Sequence, residues 1–403
     1  MKTSPYPSIQ FAFAGRQIWP LVLAALHTQP KRLFLFHSSD SDESYYPAHR
    51  LEEFFRQNAR IFPFECILCR VSHDNFGEIK DTLHQHAQSI HGSMSQIAVN
   101  ITGGNKLMAI AAFDLAKACH AELLYLERGN QIVRFVPASD GAPFHISTNT
   151  IDPAIANDID PLDILACQMG ASEIQNKGEL IRLSNSTPPS PEKITPENAR
   201  KFLSIQNSSN KKPAIGDSLE FFAAAILLAH GVKTLRRGVE LRPKKTKAPH
   251  SEIDLLFIWN GRLWLVDCKD KKPCEEYVRQ FRDETRHLPI PDHAQDILSR
   301  IQNDLSRSHT QVMKEDLAAI SEMGGVLGQV VCVRSAQLSS EIIQYANDHH
   351  IAVAYKNSLA RDIAFILKNN RTRDEHLSSD KPLSQHRNGH HLDDLARAMD
   401  ASF

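Results

Sequence analysis

The 403-residue chain has no apolar run approaching the roughly 20 residues that a membrane-spanning helix needs. Its opening residues, MKTSPYPSIQFAFAG, lack the basic-then-apolar layout and cleavage site of an export signal. A cytoplasmic protein with no membrane partner is therefore expected. Cysteine is scarce: seven residues, scattered and odd in number, which argues for a reducing compartment over a disulfide frame. Cys66 and Cys69 form an isolated C-x-x-C in the strand-like run FECILCRV. Three residues apart on a strand they point to opposite faces, so core packing accounts for them better than zinc. The 20 histidines show no convincing ligand spacing. Net charge is also lacking, at −1, so the overall balance gives no reason to expect nucleic acid.

What is present is an ordinary globular composition, 42% hydrophobic and 23% charged, long enough for two or three domains. Residues 9–140 alternate strand and helix: strands at Ile9–Ala14, Arg32–His37, Phe64–Val71 and Ile97–Ile101, then a closing pair at Glu122–Leu126 and Ile132–Val136. Helices are expected at Ile18–Leu26, Ala48–Asn58, Asn75–His91 and Leu107–Ala118. That spacing predicts a parallel, doubly wound sheet, whose ligands bind outside the carboxyl ends of the strands. The fourth strand runs into Thr102-Gly103-Gly104-Asn105-Lys106. Two glycines permit close backbone approach, and the following helix offers free N–H groups to an anion. A tight strand-to-helix turn with no ligand explains the same residues, and the spacing is not that of a Walker loop.

Residues 141–212 change character, with short helical patterns at Asp158–Met169 and Gly178–Leu183, four prolines between Leu183 and Glu197, and a domain boundary near 210. Next comes DSLEFFAAAILLAHG, an apolar helix with Asp217 or Ser218 suited to its N-cap and Glu220 as the one acid beyond the cap. A capping box on Asp217 would explain Glu220 as well as an acid aimed at a metal would. Then SEIDLLFIWNGRLWLVDCKDKK reads as a β-hairpin around Asn260-Gly261. Asp254 interrupts its first strand, while Asp267 and Lys269 end the second on one face. Such groups are costly to bury unless they pair or bind metal. From Gly231 to Lys272 eleven Lys/Arg stand against five acids, a local +6 suited to a phosphate backbone. Further α/β elements follow to about residue 369, and 370–403 form a polar tail with a short helical pattern at Leu392–Met399.

Two resemblances give these segments meaning. NITGGNKLMAIAAFDLA resembles the signature of CARF domains, CRISPR-associated Rossmann folds that dimerise and bind cyclic oligoadenylates. It implies a homodimer and a pocket formed by the loops at Gly15-Arg16-Gln17, His37-Ser38-Ser39 and Thr102–Lys106, with Gln17, Ser38, Thr102, Gly103, Gly104, Asn105 and Lys106 as ligand-binding residues. The order helix(Glu220)–strand–strand(Asp254)–strand(Asp267-x-Lys269) is similar to the PD-(D/E)xK restriction-endonuclease-like core. There the acids, with the Cys268 carbonyl as a further ligand, would hold Mg²⁺ or Mn²⁺, and the lysine would position water. The implied layout is an N-terminal Rossmann-like CARF domain (1–145), a linker with a small helical subdomain (146–212), a restriction-endonuclease-like α/β nuclease domain (213–369) and the tail. The implied activity is a metal-dependent endonuclease of type III CRISPR defence, activated by cyclic tetra-adenylate, that nicks DNA, with RNA as a second substrate class. Two other readings are weaker: a metal-independent HEPN ribonuclease, resting on Arg282…His287 or Arg371…His376, and a non-catalytic sensor or regulator, for which no helix-turn-helix is evident.

Overall fold

The computed structural model describes residues 6–90, 97–127, 131–138, 144–185, 187–206, 217–242, 251–270, 310–311, 313–321 and 328–369. The basic loop beyond Arg242, the helices expected at 275–286 and 291–305, the boundary near 210, both Arg…His pairs and the tail lie outside the described residues. No helix among the described residues is long and apolar enough to cross a membrane.

The first sheet contains β1 (Ile9–Phe13), β2 (Arg32–His37), β3 (Glu65–Arg70), β4 (Ile97–Asn100), β5 (Glu122–Glu127), β6 (Gln131–Pro137) and β7 (Phe144–Thr150). Their order is β3-β2-β1-β4-β5-β6-β7, with β1 to β5 parallel and the last two antiparallel. Between them run α1 (Trp19–Thr28), α2 (Tyr46–Gln57), α3 (Phe76–Ser89) and α4 (Lys106–Cys119). The central strands are apolar on both faces because both faces are covered. Phe11, Phe13 and Phe36 pack with Ile79 and Leu83 of α3 and Leu115 of α4. On the other face, Ala12 and Leu35 pack with Leu23 of α1 and Leu51 of α2. This is the doubly wound α/β sheet expected from the alternation. β7 was not foreseen, since FHISTNT is mostly exposed and carries little apolar pattern. The order reverses between β2-β1 and β4, and the crevice at the carboxyl ends of those strands is where such folds take ligands.

The second sheet holds β8 (Ile174–Asn176), β9 (Glu179–Leu183), β10 (Leu203–Gln206), β11 (Leu235–Leu241), β12 (Ser251–Trp259), β13 (Arg262–Lys269), β14 (Gln329–Arg334) and β15 (Ala352–Tyr355). The order is β10-β9-β11-β12-β13-β14-β15, with β8 also on β11. Its helices are α5 (Pro161–Met169), α6 (Asp217–Ala229), α7 (Ser340–Asp348) and α8 (Leu359–Lys368), and residues 313–321 are also helical. The helical pattern read at Gly178–Leu183 is instead strand β9. Its backbone bonds to β10 and β11, and its Ile181 is fully buried, so sheet pairing overrides a weak local preference.

The hairpin forms where Asn260-Gly261 indicates. Both residues have positive φ, 49° and 68°, as a two-residue turn matching the strand twist requires. Alternation then sends Leu255, Phe257 and Trp264 to the face covered by α6 and α8, while Leu256 and Leu265 face the other way. That second face shares one continuous core with α1, α5 and the first sheet. At its edge the Trp19 Nε1–H donates to the Gly261 carbonyl at 2.5 Å, a buried bond between residues 242 apart in sequence. Polar bonds reinforce the α5 side: the ion pairs Arg236 on Asp160 and Lys233 on Asp158, and a neutral bond from Gln168 Nε2–H to the Arg16 carbonyl at 3.2 Å.

Candidate functional sites

At the carboxyl ends of β1, β2 and β4 lies a cavity of about 480 Å³. Gln17, Ser38, Thr102, Gly103, Gly104 and Asn105 all line it. Lys106, the first residue of α4, is exposed and is not part of its wall. The glycine pair is dictated first by β1. A Cβ on Gly103 would sit 2.0 Å from the Phe13 carbonyl oxygen, and one on Gly104, at φ 79°, would sit 2.7 Å from the Phe13 Cβ. The loop can lie on the strand end only without side chains. Its polar groups then hold it. Thr102 N–H donates to Asn100 Oδ1 at 2.9 Å, and Thr102 Oγ1 accepts from the Leu126 N–H at 2.8 Å. Asn105 Oδ1 caps α4 by accepting from the Met108 N–H at 3.0 Å. Ser38 N–H donates to Ser44 Oγ, whose hydroxyl donates to the Ala14 carbonyl. The wall also includes Arg16, Asp40, Glu43 and His73. Arg16 pairs with Glu43 at 3.4 Å, both exposed.

The second constellation sits at the end of the hairpin. Asp254, Asp267 and Lys269 share the face of Leu256 and Leu265. Lys269 Nζ lies 3.0 Å from Asp267 Oδ1 and 4.0 Å from Asp254 Oδ2. Asp254 Oδ2 accepts the Cys268 N–H at 2.6 Å. Asp267 also takes Arg334 Nη2–H on Oδ2 at 2.5 Å. The two carboxyls are 6% and 2% exposed, and their surroundings drive them apart. Burial pushes the Asp254 carboxyl up to about 7, helped by the charges of Asp267 and Glu220 and opposed by Lys269. Burial acts the same way on Asp267, but Arg334 and Lys269 outweigh it and hold that carboxyl below its usual range. Lys269 is raised: burial opposes its charge, and the two aspartates more than offset that. The Cys268 thiol is buried on the opposite, α6-covered face and driven far up.

Glu220 stands on that same opposite side, on α6. Its carboxylate accepts from Arg237 Nε–H at 2.6 Å, and Arg237 also binds Glu179 at 2.7 Å and stacks over the Phe221 ring. The structure therefore brings Asp254, Asp267 and Lys269 together and holds Glu220 across the sheet, close enough for its charge to act on Asp254.

Residues 20–151 match the Card1 CARF-domain family. The N-terminal α/β domain is a CARF domain. The comparison with curated proteins finds no match. Among solved structures, Can2 from Sulfobacillus thermosulfidooxidans, described in complex with cyclic tetra-adenylate, aligns with TM-score 0.54 at 14% identity, covering 89% of this chain and 97% of its own. Protein VC1899 from Vibrio cholerae aligns with TM-score 0.56 at 12% identity, with the same two coverages. The fold shared with both thus extends beyond the CARF domain through the second sheet.

Two features of the CARF domain and its neighbour escaped the sequence. Asp40 and Glu43 follow β2 in a polar stretch with no motif, so nothing in their spacing marked them as cavity wall. Arg334 sits 65 positions after Lys269, and only the parallel β13–β14 register, Lys269 opposite Arg334, reveals it. For a divalent ion, no group of three or more His, Cys, Asp or Glu side chains is gathered among the described residues. Two hard carboxylates linked by one lysine still suit Mg²⁺ or Mn²⁺, since Mg²⁺ in particular usually binds through one or two carboxylates and keeps several waters. The donor set fits that class of ion.

Proposed function

We propose that the protein is a cyclic oligoadenylate-activated, metal-dependent nuclease of CRISPR defence, acting as a homodimer in the cytoplasm. The observation that carries this reading is the Asp254–Asp267–Lys269 constellation on the sheet face that shares its core with a CARF domain. Cyclic tetra-adenylate is the proposed activator, as the ligand of the Can2 structure that shares the fold, and the 480 Å³ cavity is its proposed site. DNA is the proposed substrate, with RNA as a second class. In domain terms, residues 1–145 sense and 213–369 cut, with the strands between Ile174 and Gln206 serving the cutting sheet.

Asp254 and Asp267, with the Cys268 carbonyl, would hold Mg²⁺ or Mn²⁺. Bound there, the ion would stabilise charge on phosphoryl oxygens and lower the pKa of a water. Lys269 remains charged between two carboxylates and can orient that water or meet a phosphate oxygen. Glu220 acts from across the sheet through its charge. Activation is a population shift: activator bound more tightly by one arrangement of the CARF pocket favours the arrangement of the hairpin packed beside it.

The test is a cleavage assay on DNA and RNA with and without cyclic tetra-adenylate and Mn²⁺. Cleavage that requires both supports the reading. Cleavage that persists in EDTA overturns the metal site and favours the HEPN alternative. Tight activator binding without any cleavage favours a non-catalytic sensor.

A further inference from the structure

Arg334 ends β14 after four buried residues, Val330, Val331, Cys332 and Val333, and is itself only 3% exposed. Replacing the whole Arg334–Asp267 pair by well-packed apolar groups would often match or better it, so stability alone does not account for burying the two charges here. The side chain even leaves its Nε–H without an acceptor among the described residues. What it does instead is grip one residue twice. Nη2–H meets Asp267 Oδ2 at 2.5 Å, and Nη1–H meets the Asp267 carbonyl and the Val333 carbonyl, each at 2.9 Å. Backbone and carboxylate of Asp267 are thus fixed by one planar group, which sets the side-chain torsions between them. Lys269 takes the other oxygen at 3.0 Å. Each carboxylate oxygen has two lone pairs, so each retains one for a further ligand. Among the described residues Asp254 has no such clamp: its closest cation there is Lys269, at 4.0 Å.

We infer that Arg334 is a positioning residue of the metal centre, presenting the Asp267 carboxylate to the divalent ion in a fixed orientation. This rests on the metal-dependent reading above. Outer partners that orient a ligand typically change metal affinity by about 10–100-fold when removed. A clamp that merely ties β13 to β14 would change stability and leave affinity alone.

The experiment is calorimetric Mn²⁺ titration of the full chain and of Arg334→Met and Arg334→Lys, each checked for folding by circular dichroism. Arg334→Met is expected to bind about 10–100-fold more weakly, and Arg334→Lys, which keeps charge but not the fork, to fall between it and the parent. Added methylguanidinium is expected to restore part of the affinity of Arg334→Ala. Parent-like or tighter binding by the folded variants overturns the inference. Should Arg334→Met fail to fold, Arg334→Lys decides alone: unchanged affinity overturns it, weakened affinity supports it. A parent protein that binds no Mn²⁺ overturns the metal reading itself.

Discussion

The CARF cavity and the hairpin centre both use the carboxyl ends of strands, yet they are built from opposite materials. The loops that frame the cavity are held by backbone and neutral side chains: Gly103 and Gly104 pressed on β1, Asn100 and Asn105 tying down the loop, Ser38 linked through Ser44. The wall ion pair Arg16–Glu43 is exposed and contributes little. The hairpin centre buries two carboxyls and offsets them with a buried guanidinium and a less deeply buried lysine. A binding pocket can be made by shape and left soft. A buried cluster of charges such as the hairpin's stores electrostatic free energy that a bound cation could release.

The strongest way to break this comparison is Asp267→Ala. It leaves the Arg334 guanidinium buried and unpaired, so denaturant unfolding should show a loss of about 3–5 kcal/mol, together with abolished cleavage. Activator affinity measured by calorimetry should be unchanged, because the cavity shares none of these residues.

Next in size is the pH dependence of the metal-free protein. Asp254 has an ordinary value of 3.8 and a folded value of about 7, so the folded chain holds its proton more tightly than the unfolded chain does. The stability this contributes is full below about pH 4 and is lost as pH rises through about 7, at no more than about 1.4 kcal/mol per pH unit. Unfolding curves in EDTA across that window should show the decline, and Asp254→Asn should flatten it. A parent curve as flat as that of the variant would dismiss the buried-carboxyl account.

Gly103→Ala strikes the cavity. Its Cβ would meet the Phe13 carbonyl at 2.0 Å, so the loop must lift from β1. A loss of about 1–3 kcal/mol is expected, with activator binding impaired and Mn²⁺ binding retained. The smallest effect belongs to Lys106→Ala. An exposed lysine outside the cavity wall should cost less than about 1 kcal/mol of activator affinity, lost more readily at high salt. Abolished binding would move Lys106 into the pocket proper.

The sequence carried much of this because local signals dominated where they were strong. Period-two alternation around Asn-Gly located β12 and β13 and put Asp267 and Lys269 on one side; the TGG loop announced itself by two glycines at a strand end. What stayed hidden depended on distant pairing. β9 is short and reads as helix until β10 and β11 flank it. Arg334 looks like the polar end of an apolar strand until β14 is laid beside β13. Glu220 could be assigned to cap or metal by spacing alone; in the folded chain its carboxylate accepts from Arg237, a partner the spacing did not suggest.

The chain has three tryptophans, and all of them crowd one hairpin. Trp259 and Trp264 flank the turn, with the Trp264 indole N–H on the Trp259 carbonyl and that of Trp259 on the Leu367 carbonyl; Trp19 reaches over from the CARF domain to Gly261. The ultraviolet emission of the whole protein is therefore an optical probe of a single joint, the one where the CARF domain meets the second sheet. A spectral shift on adding cyclic tetra-adenylate would report movement at that joint without any label, and Trp19→Phe would isolate the share that comes from the CARF side.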